Sequence, residues 1–255
     1  NLVGGKTNMN NYQRFYNWVK EVDQIVAFTG AGMSTASGIP DFRSPGGFYD
    51  QVEQAGYNRE EVLSIGFLQK SPKEAYHFYN LTFHKEAKPN KGHLFLAFLE
   101  NELGKDVSIV TQNIDGLHRR AGSTKIFELH GNMSWRKLDD QATSQDLIEY
   151  DELIWRDGIP YDIEGNQRRP NAVLFGESLN SNTIKGAISA IASADLLMVL
   201  GTSLQVYPAA SFINYFQGKY RLQIDKSIEY PKSSKHEMSL ANDIVDFFKK
   251  IWELF

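Results

Sequence analysis

The sequence has no cysteine among its 255 residues. That excludes disulfides and every thiolate chemistry, and it removes the ligands a structural zinc site prefers. Also missing is any apolar run of the roughly 18 residues a membrane-spanning helix needs. The longest run, around Ala194 to Gly201, is interrupted by Asp195 and reads as a buried strand. There is no excess of positive charge either: 27 Lys and Arg face 31 Asp and Glu, for a net charge of -4. A polyphosphate ligand would need a local site, and nucleic-acid binding is not expected. The opening "NLVGGKTN" lacks the basic end and apolar centre of a signal peptide. A cytoplasmic protein with no membrane association is expected, with oligomeric state left open.

What is present alternates. "QIVAF" (24–28), "VSIVTQN" (107–113), "KIFELHG" (125–131), "NAVLFGE" (171–177), "ADLLMVLGTS" (194–203) and "YRLQID" (220–225) are apolar runs of strand length. Helical spacing of apolar residues marks 8–20, 72–86, 91–103, 183–194, 208–216 and 242–254. Strands that are apolar throughout, alternating with helices, predict an α/β fold: a parallel sheet with helices on both faces and its ligand beyond the strands' carboxyl ends. Two stretches break the alternation. The expected division is therefore a sheet domain of 8–45, 89–131 and 171–255, and a smaller lobe of 46–88 and 132–170.

Several strand ends carry candidate chemistry. In "TGAGMSTASGIPDFRSPGG", Gly30, Ala31 and Gly32 let backbone approach a ligand, and the N-terminus of the next helix would offer N–H groups to a phosphate. The spacing is G-x-G-x5-G rather than G-x-G-x-x-G, so a packing turn is an equal reading. Asp41, Phe42 and Arg43 add an acid, a ring and a guanidinium in a turn-rich loop. In "TQNIDGLHRRAG", Gln112, Asn113 and Asp115 flank Ile114; Asn plus Asp offer the donor and acceptor that a carboxamide such as nicotinamide needs, or else they cap a turn. His130 ends a strand run and precedes Gly131. A lone His among apolar residues is more often a core residue, yet its position and pKa range also suit a general base. Gly201, Thr202 and Ser203 could bond phosphate or ribose, or cap the next helix. "VLFGE", stopping at Gly176, could offer an edge to an extended peptide.

Taken in order, "GAGMSTASGIPDFRSPGG", "TQNIDGLHRRAG", "ELHG", "RPNAVLFGE" and "GTSLQVYPAA" resemble the sirtuins, the NAD-dependent protein-lysine deacylases. The resemblance implies a Rossmann-like large domain that binds NAD, a smaller lobe, and an acylated protein or peptide lying as a strand between them. It implies cofactor contacts from Gly30, Ala31, Gly32 and Thr35 along the phosphates. Asp41, Phe42 and Arg43 border the nicotinamide ribose, and Gln112, Asn113, Ile114 and Asp115 line the ribose and nicotinamide pocket. Gly201, Thr202 and Ser203 meet the adenosine half, with Asp225 and Asp243 completing the set. His130 matches the general base, with Asn113 beside it in the catalytic set; Val173, Phe175, Gly176 and Glu177 match the substrate edge. In the implied reaction nicotinamide departs, the acyl oxygen attacks the ribose C1′, and His130 takes a proton from a ribose hydroxyl. The products are free lysine and O-acyl-ADP-ribose. The alternatives are an ADP-ribosyltransferase or NAD glycohydrolase on the same scaffold, or a non-enzymatic NAD-responsive module.

The chain departs from the family in three places. Most sirtuins hold a structural zinc with two Cys pairs, where this chain reads "RKLDDQATSQDLIEYDELIWRDGIPYDIEGNQRRP". Asp139, Asp140, Asp146 and Asp162 suit harder ions, so no zinc is expected. Leu147, Ile148, Tyr150, Leu153, Ile154, Trp155 and Tyr161 are expected to pack the lobe instead. Asp225 stands where the family usually has Asn, which fits NAD and disfavours a 2′-phosphate. Succinyl-removing members carry Tyr-x-x-Arg where this chain has Tyr79-Asn80-Leu81-Thr82, so neutral acyl groups are expected.

Overall fold

The computed structural model describes residues 10–40, 45, 48–82, 87–139 and 145–255. Helix α1 (Asn11–Glu21) begins where the Asn10 side chain accepts from Gln13 N, and leads into strand β1 (Gln24–Thr29). Four short helices follow: α2 (Phe48–Gln54), α3 (Arg59–Val62), α4 (Ile65–Lys70) and α5 (Pro72–Thr82). The chain then returns through α6 (Lys91–Asn101), β2 (Asp106–Thr111), α7 (Leu117–Ala121) and β3 (Lys125–Glu128). Strands β4 (Gly131–Lys137), β5 (Ile154–Arg156), β6 (Ile159–Tyr161) and β7 (Arg168–Ala172) belong to a second region. Finally come α8 (Ser181–Ser193), β8 (Leu196–Leu200), β9 (Tyr220–Ile224), β10 (Lys232–Ser233), β11 (Glu237–Leu240) and α9 (Ile244–Trp252).

The main sheet runs β10-β11-β9-β8-β1-β2-β3 and is parallel except at its β10 edge. From β3 to β11 this is the doubly wound order, and it reverses between β1 and β8. Along β1, Ile25 and Ala27 join the cluster under α1, α6 and α9, with Phe15, Phe95 and Phe248. Val26 and Phe28 join the cluster under α8 and residues 209–215, with Ile191 and Phe212. Both faces are buried, which is why β1 and β8 read as unbroken apolar runs; each large side chain so buried contributes roughly 1.5–3 kcal/mol.

Three expectations are corrected. "NAVLFGE" is not a strand of the main sheet: only Asn171 and Ala172 are strand, as the end of β7, which pairs antiparallel with β4. Its apolar face packs through Leu174 on an aromatic cluster rather than on sheet-covering helices. Residues 209–215 form a 3-10 helix, and the sheet gains an edge, β10 and β11, too short and polar to stand out by periodicity.

The second region has its own core. Tyr76 and Tyr79 of α5 pack with Phe48, Val62 and Phe67 against Trp135 of β4, and Ile148, Tyr150, Leu153 and Trp155 close over them. Both inserted stretches thus share one cluster. Ile154 is instead exposed, while Leu147 and Tyr161 stay half-buried; Tyr161 lies beneath the Arg156 guanidinium at 5.3 Å. Beside the cluster, Arg168 is 3% exposed; its Nε donates to Asp162 Oδ2 at 2.8 Å, and its Nη2 donates to Asp146 Oδ1 at 3.1 Å. Burial alone would push the Asp162 carboxyl up, but hydrogen bonds from Asn166 and the Arg168 guanidinium outweigh it and hold it at about 2.

The residues present do not fit a zinc ion. Cysteine is absent, and Arg168 occupies the carboxylates of Asp146 and Asp162. Asp139 is exposed, Asp140 lies outside the described residues, and among the described residues no three His, Asp or Glu side chains converge.

Candidate active site

The turns after β1 and β8 lie against each other at the point where strand order reverses. Gly30 N donates to Leu200 O at 3.0 Å and Gly32 N to Gly201 O at 2.8 Å. A Cβ on Gly30 would lie 2.7 Å from Thr202 Cβ, and one on Gly201, whose φ is +64°, would lie 2.2 Å from Met33 N. Close chain-to-chain approach alone thus requires glycine at both positions, the packing reading of the turn. Among the described residues, no α-helix N-terminus directly follows the first turn. Two 3-10 turns, Ala31–Met33 and Thr35–Ser37, stand there instead, Thr35 being exposed with its hydroxyl donating to Gly32 O. Asp41, Phe42 and Arg43 lie outside the described residues.

The end of β2 supplies the next wall. Gln112 Nε2 donates to Thr202 Oγ1 at 3.2 Å, tying this wall to the β8 turn. Asn113 Nδ2 donates to Gly30 O at 2.8 Å and to Ser34 Oγ at 3.3 Å. Its two amide hydrogens are thereby committed, and only Oδ1 is left to meet a ligand. Asp115 accepts from Ser34 Oγ at 2.6 Å and, through its other oxygen, from Leu117 N at 2.9 Å. The expected donor-and-acceptor pair is corrected: Asn113 and Asp115 both present acceptors, and a donor for a carboxamide oxygen must come from another group. Ile114 is half-buried between them. Ser34 was not singled out in the sequence, although its place after "GAGM" put it within reach.

His130 follows β3 and is half-buried. Its Nδ1 lies 3.0 Å from Gln112 O; a carbonyl only accepts, so Nδ1 carries the proton and Nε2 keeps a lone pair. Burial lowers the His130 pKa and the Gln112 bond raises it by less, so the ring is neutral near pH 7. That is the protonation state a general base needs. The backbone fixes its place: His130 O accepts from Val173 N at 2.9 Å, and a Cβ on Gly131, at φ +77°, would lie 1.9 Å from Asn171 O.

The substrate edge is narrower than the motif implied. Phe175 N donates to Leu63 O at 2.9 Å and Phe175 O accepts from Ile65 N at 3.0 Å, so its backbone is already paired although its ring is exposed. Glu177 turns inward: it takes two bonds from Arg169, at 2.6 and 2.9 Å, and one from Leu174 N at 2.8 Å. Val173 is half-buried and Gly176 exposed, which leaves Gly176 as the accessible stretch of this edge.

On the adenosine side, Thr202 is half-buried and Ser203 exposed. Asp225 Oδ1 accepts from Ser227 N at 2.8 Å. Asp243 caps α9, accepting from Val245 N and Asp246 N, and pairs with Lys226 at 2.7 Å. Its oxygens are engaged by protein, as a helix cap. The acceptors as a set, carboxylates, amide oxygen, hydroxyls and a neutral imidazole, fit a ligand rich in O–H and N–H donors, as the riboses and carboxamide of NAD are.

Comparison with known proteins gives a consistent picture. A family model described as "Sir2 family" matches residues 30–208. An NAD-dependent protein deacetylase of Clostridium perfringens is 44% identical over 214 residues, covering 82% of this chain and 85% of the relative. One from Staphylococcus epidermidis is 41% identical over 247 residues, covering 94% and 96%. Among solved structures, Sir2 with a p53 peptide and NAD+ superposes with a TM-score of 0.79 at 34% identity, covering 96% of this chain and 98% of that one. Sir2 bound to an acetylated peptide gives 0.78 at 33% identity, with coverage of 96% and 98%.

Proposed function

The chain belongs to the Sir2 family, and from that premise we propose that it removes acyl groups from protein lysine in an NAD-dependent reaction, with His130 as the base. The observation that carries this reading is the His130 Nδ1–H bond to Gln112 O, which leaves Nε2 as the proton acceptor at the carboxyl end of the sheet. NAD, when bound, supplies an ADP-ribosyl group whose C1′ becomes electrophilic as nicotinamide leaves. The chain's own residues do the rest. Asp115 and Asn113 Oδ1 accept hydrogen bonds from the nicotinamide end and face the positive charge that develops beside it. His130 Nε2 takes a proton from a ribose hydroxyl. Gly176, between the paired Phe175 and the anchored Glu177, offers backbone to an extended acylated peptide.

Neutral acyl groups are the preferred substrates. Tyr79 is buried in the aromatic cluster, and the nearby guanidinium of Arg169 is already neutralised by Glu177. The lobe needs no zinc, because aromatic packing and the Arg168 pairs hold it. No described helix is long and apolar enough to cross a membrane, and we assign the protein to the cytoplasm.

The test uses NAD and an acetyl-lysine peptide, following nicotinamide, free lysine peptide and O-acetyl-ADP-ribose. Peptide-dependent, stoichiometric formation of all three is expected. His130→Ala should lower turnover by about 10² to 10⁴ while NAD still binds. Labelled protein or free ADP-ribose as the main product would place the chain with transferases or glycohydrolases instead, and faster turnover of succinyl-lysine than acetyl-lysine would refute the acyl preference.

A further inference from the structure

Directly beneath the Thr111–Asp115 segment lie two histidines that the mechanism does not use. His93 of α6 is 0% exposed and His118 of α7 is 2% exposed, with ring centroids 4.8 Å apart. Burying an imidazole costs free energy unless its polar atoms are satisfied, so two of them in contact call for an explanation.

We propose that His93 and His118 are positioning residues, each donating an Nε2–H to a hydroxyl and so locking the segment from Thr111 to Asp115 in the orientation that meets the nicotinamide end of NAD. The inference rests on the NAD-dependent reading above.

The hydrogen-bond directions follow by exclusion. Asn90 N donates to His93 Nδ1 at 3.2 Å, so in a neutral ring the proton sits on Nε2, which faces Ser34 Oγ at 3.5 Å. Ser34 spends its own proton on Asp115 Oδ2 and receives Asn113 Nδ2. The second route differs at its start: no described group bonds His118 Nδ1, and the direction rests on the hydroxyls instead. His118 Nε2 lies 3.0 Å from Thr29 Oγ1; Thr29 donates to Thr111 Oγ1 at 2.8 Å, and Thr111 Oγ1 accepts from Asn113 N at 3.0 Å. One route thus ends on the side chains of Asn113 and Asp115, the other on the backbone of Asn113.

Neutrality is what makes the routes directional. Burial, with a smaller contribution from Arg120, pushes His93 down to about 4, and burial pushes His118 well below its ordinary range. A neutral ring has one donor and one acceptor, and Asn90 has taken the acceptor of His93. A phenyl ring would fill the same space with no donor at all.

The experiment compares NAD with ADP-ribose, which lacks nicotinamide, by calorimetry on the whole protein, alongside nitrogen NMR of the imidazoles. Wild type should show His93 and His118 as neutral Nε2–H tautomers at pH 7. His93→Phe should weaken NAD about ten-fold, the loss of one hydrogen bond's net worth, with ADP-ribose changed less than two-fold. Ser34→Ala, a smaller change to the same route, should show the same split and serves if His93→Phe does not fold. Equal loss of both ligands, no loss of either, or an Nδ1–H tautomer at His93 would overturn the inference while leaving the deacylase reading standing. A wild type that binds ADP-ribose but not NAD would overturn both.

Discussion

The sheet domain and the small lobe bury comparable aromatic clusters, but they treat buried polarity in opposite ways. Under the sheet's carboxyl ends the buried polar side chains are neutral: Thr29, Thr111, His93 and His118 exchange hydrogen bonds with each other and with Ser34. In the lobe, Asn171 apart, they are ions: Arg136, Arg168 and Arg169, each 3% exposed, face Asp162, Asp146 and Glu177. A neutral layer can be directional without long-range fields, which suits a site where positive charge must develop. Ion pairs fix the register of short strands where no long apolar run does so.

The largest effect should come from unpairing the lobe. Arg168→Ala leaves the buried Asp162 without its cation, while Asp146 keeps Lys137 at 2.8 Å, and should lower unfolding free energy by about 3–5 kcal/mol, read by urea titration. An effect below about 1 kcal/mol would mean that the pair is no more than surface charge and would break the contrast. Acid should separate the regions next. His93 has a folded pKa below its unfolded one, so its stabilisation is fully present above pH 6.5 and lost as pH falls toward about 4. That loss is on the order of 3 kcal/mol, and His93→Phe should remove it from the pH profile of stability. Asp162, held at about 2 against an ordinary value of 3.8, contributes in the same direction but only below that value. Native-state hydrogen exchange should therefore show α6 and α7 loosening before β4 and β7 as pH is lowered. The smallest expected effect is none: a chelator should leave both melting temperature and deacylation unchanged, and a drop in either would show that a metal does part of what Arg168 is credited with.

The contrast also accounts for how much could be read from the sequence. β1, β2 and β8 were legible because burial on both faces leaves them few polar residues, whereas β9 alternates, with Arg221 and Gln223 half-buried; His130 was singled out at a strand end, but only the family resemblance made it a general base. The lobe was legible only in outline. "RKLDDQ" and "NQRRP" look like solvated charge, since a buried ion pair carries residues that are normally exposed, and nothing in its spacing marks it as buried. Trp155 and Tyr150 were expected in its core; Ile154 was expected with them and is exposed, because in the β5–β6 hairpin neighbouring side chains take opposite faces. At the site, two readings of the Gly30 turn stood level because a glycine's permissiveness does not say what comes close to it, and the structure shows the packing one. The His93 route was invisible because its members come from three separate segments.

His130 is held from two sides: its ring by Gln112 of the sheet domain, its carbonyl by Val173 at the edge where peptide is proposed to dock. Gly131 leaves no slack behind it. The residue proposed as base is therefore a shared rivet between the two regions. A substitution that displaces Val173 should shift the imidazole as well, read as a change in the nitrogen NMR signals of His130.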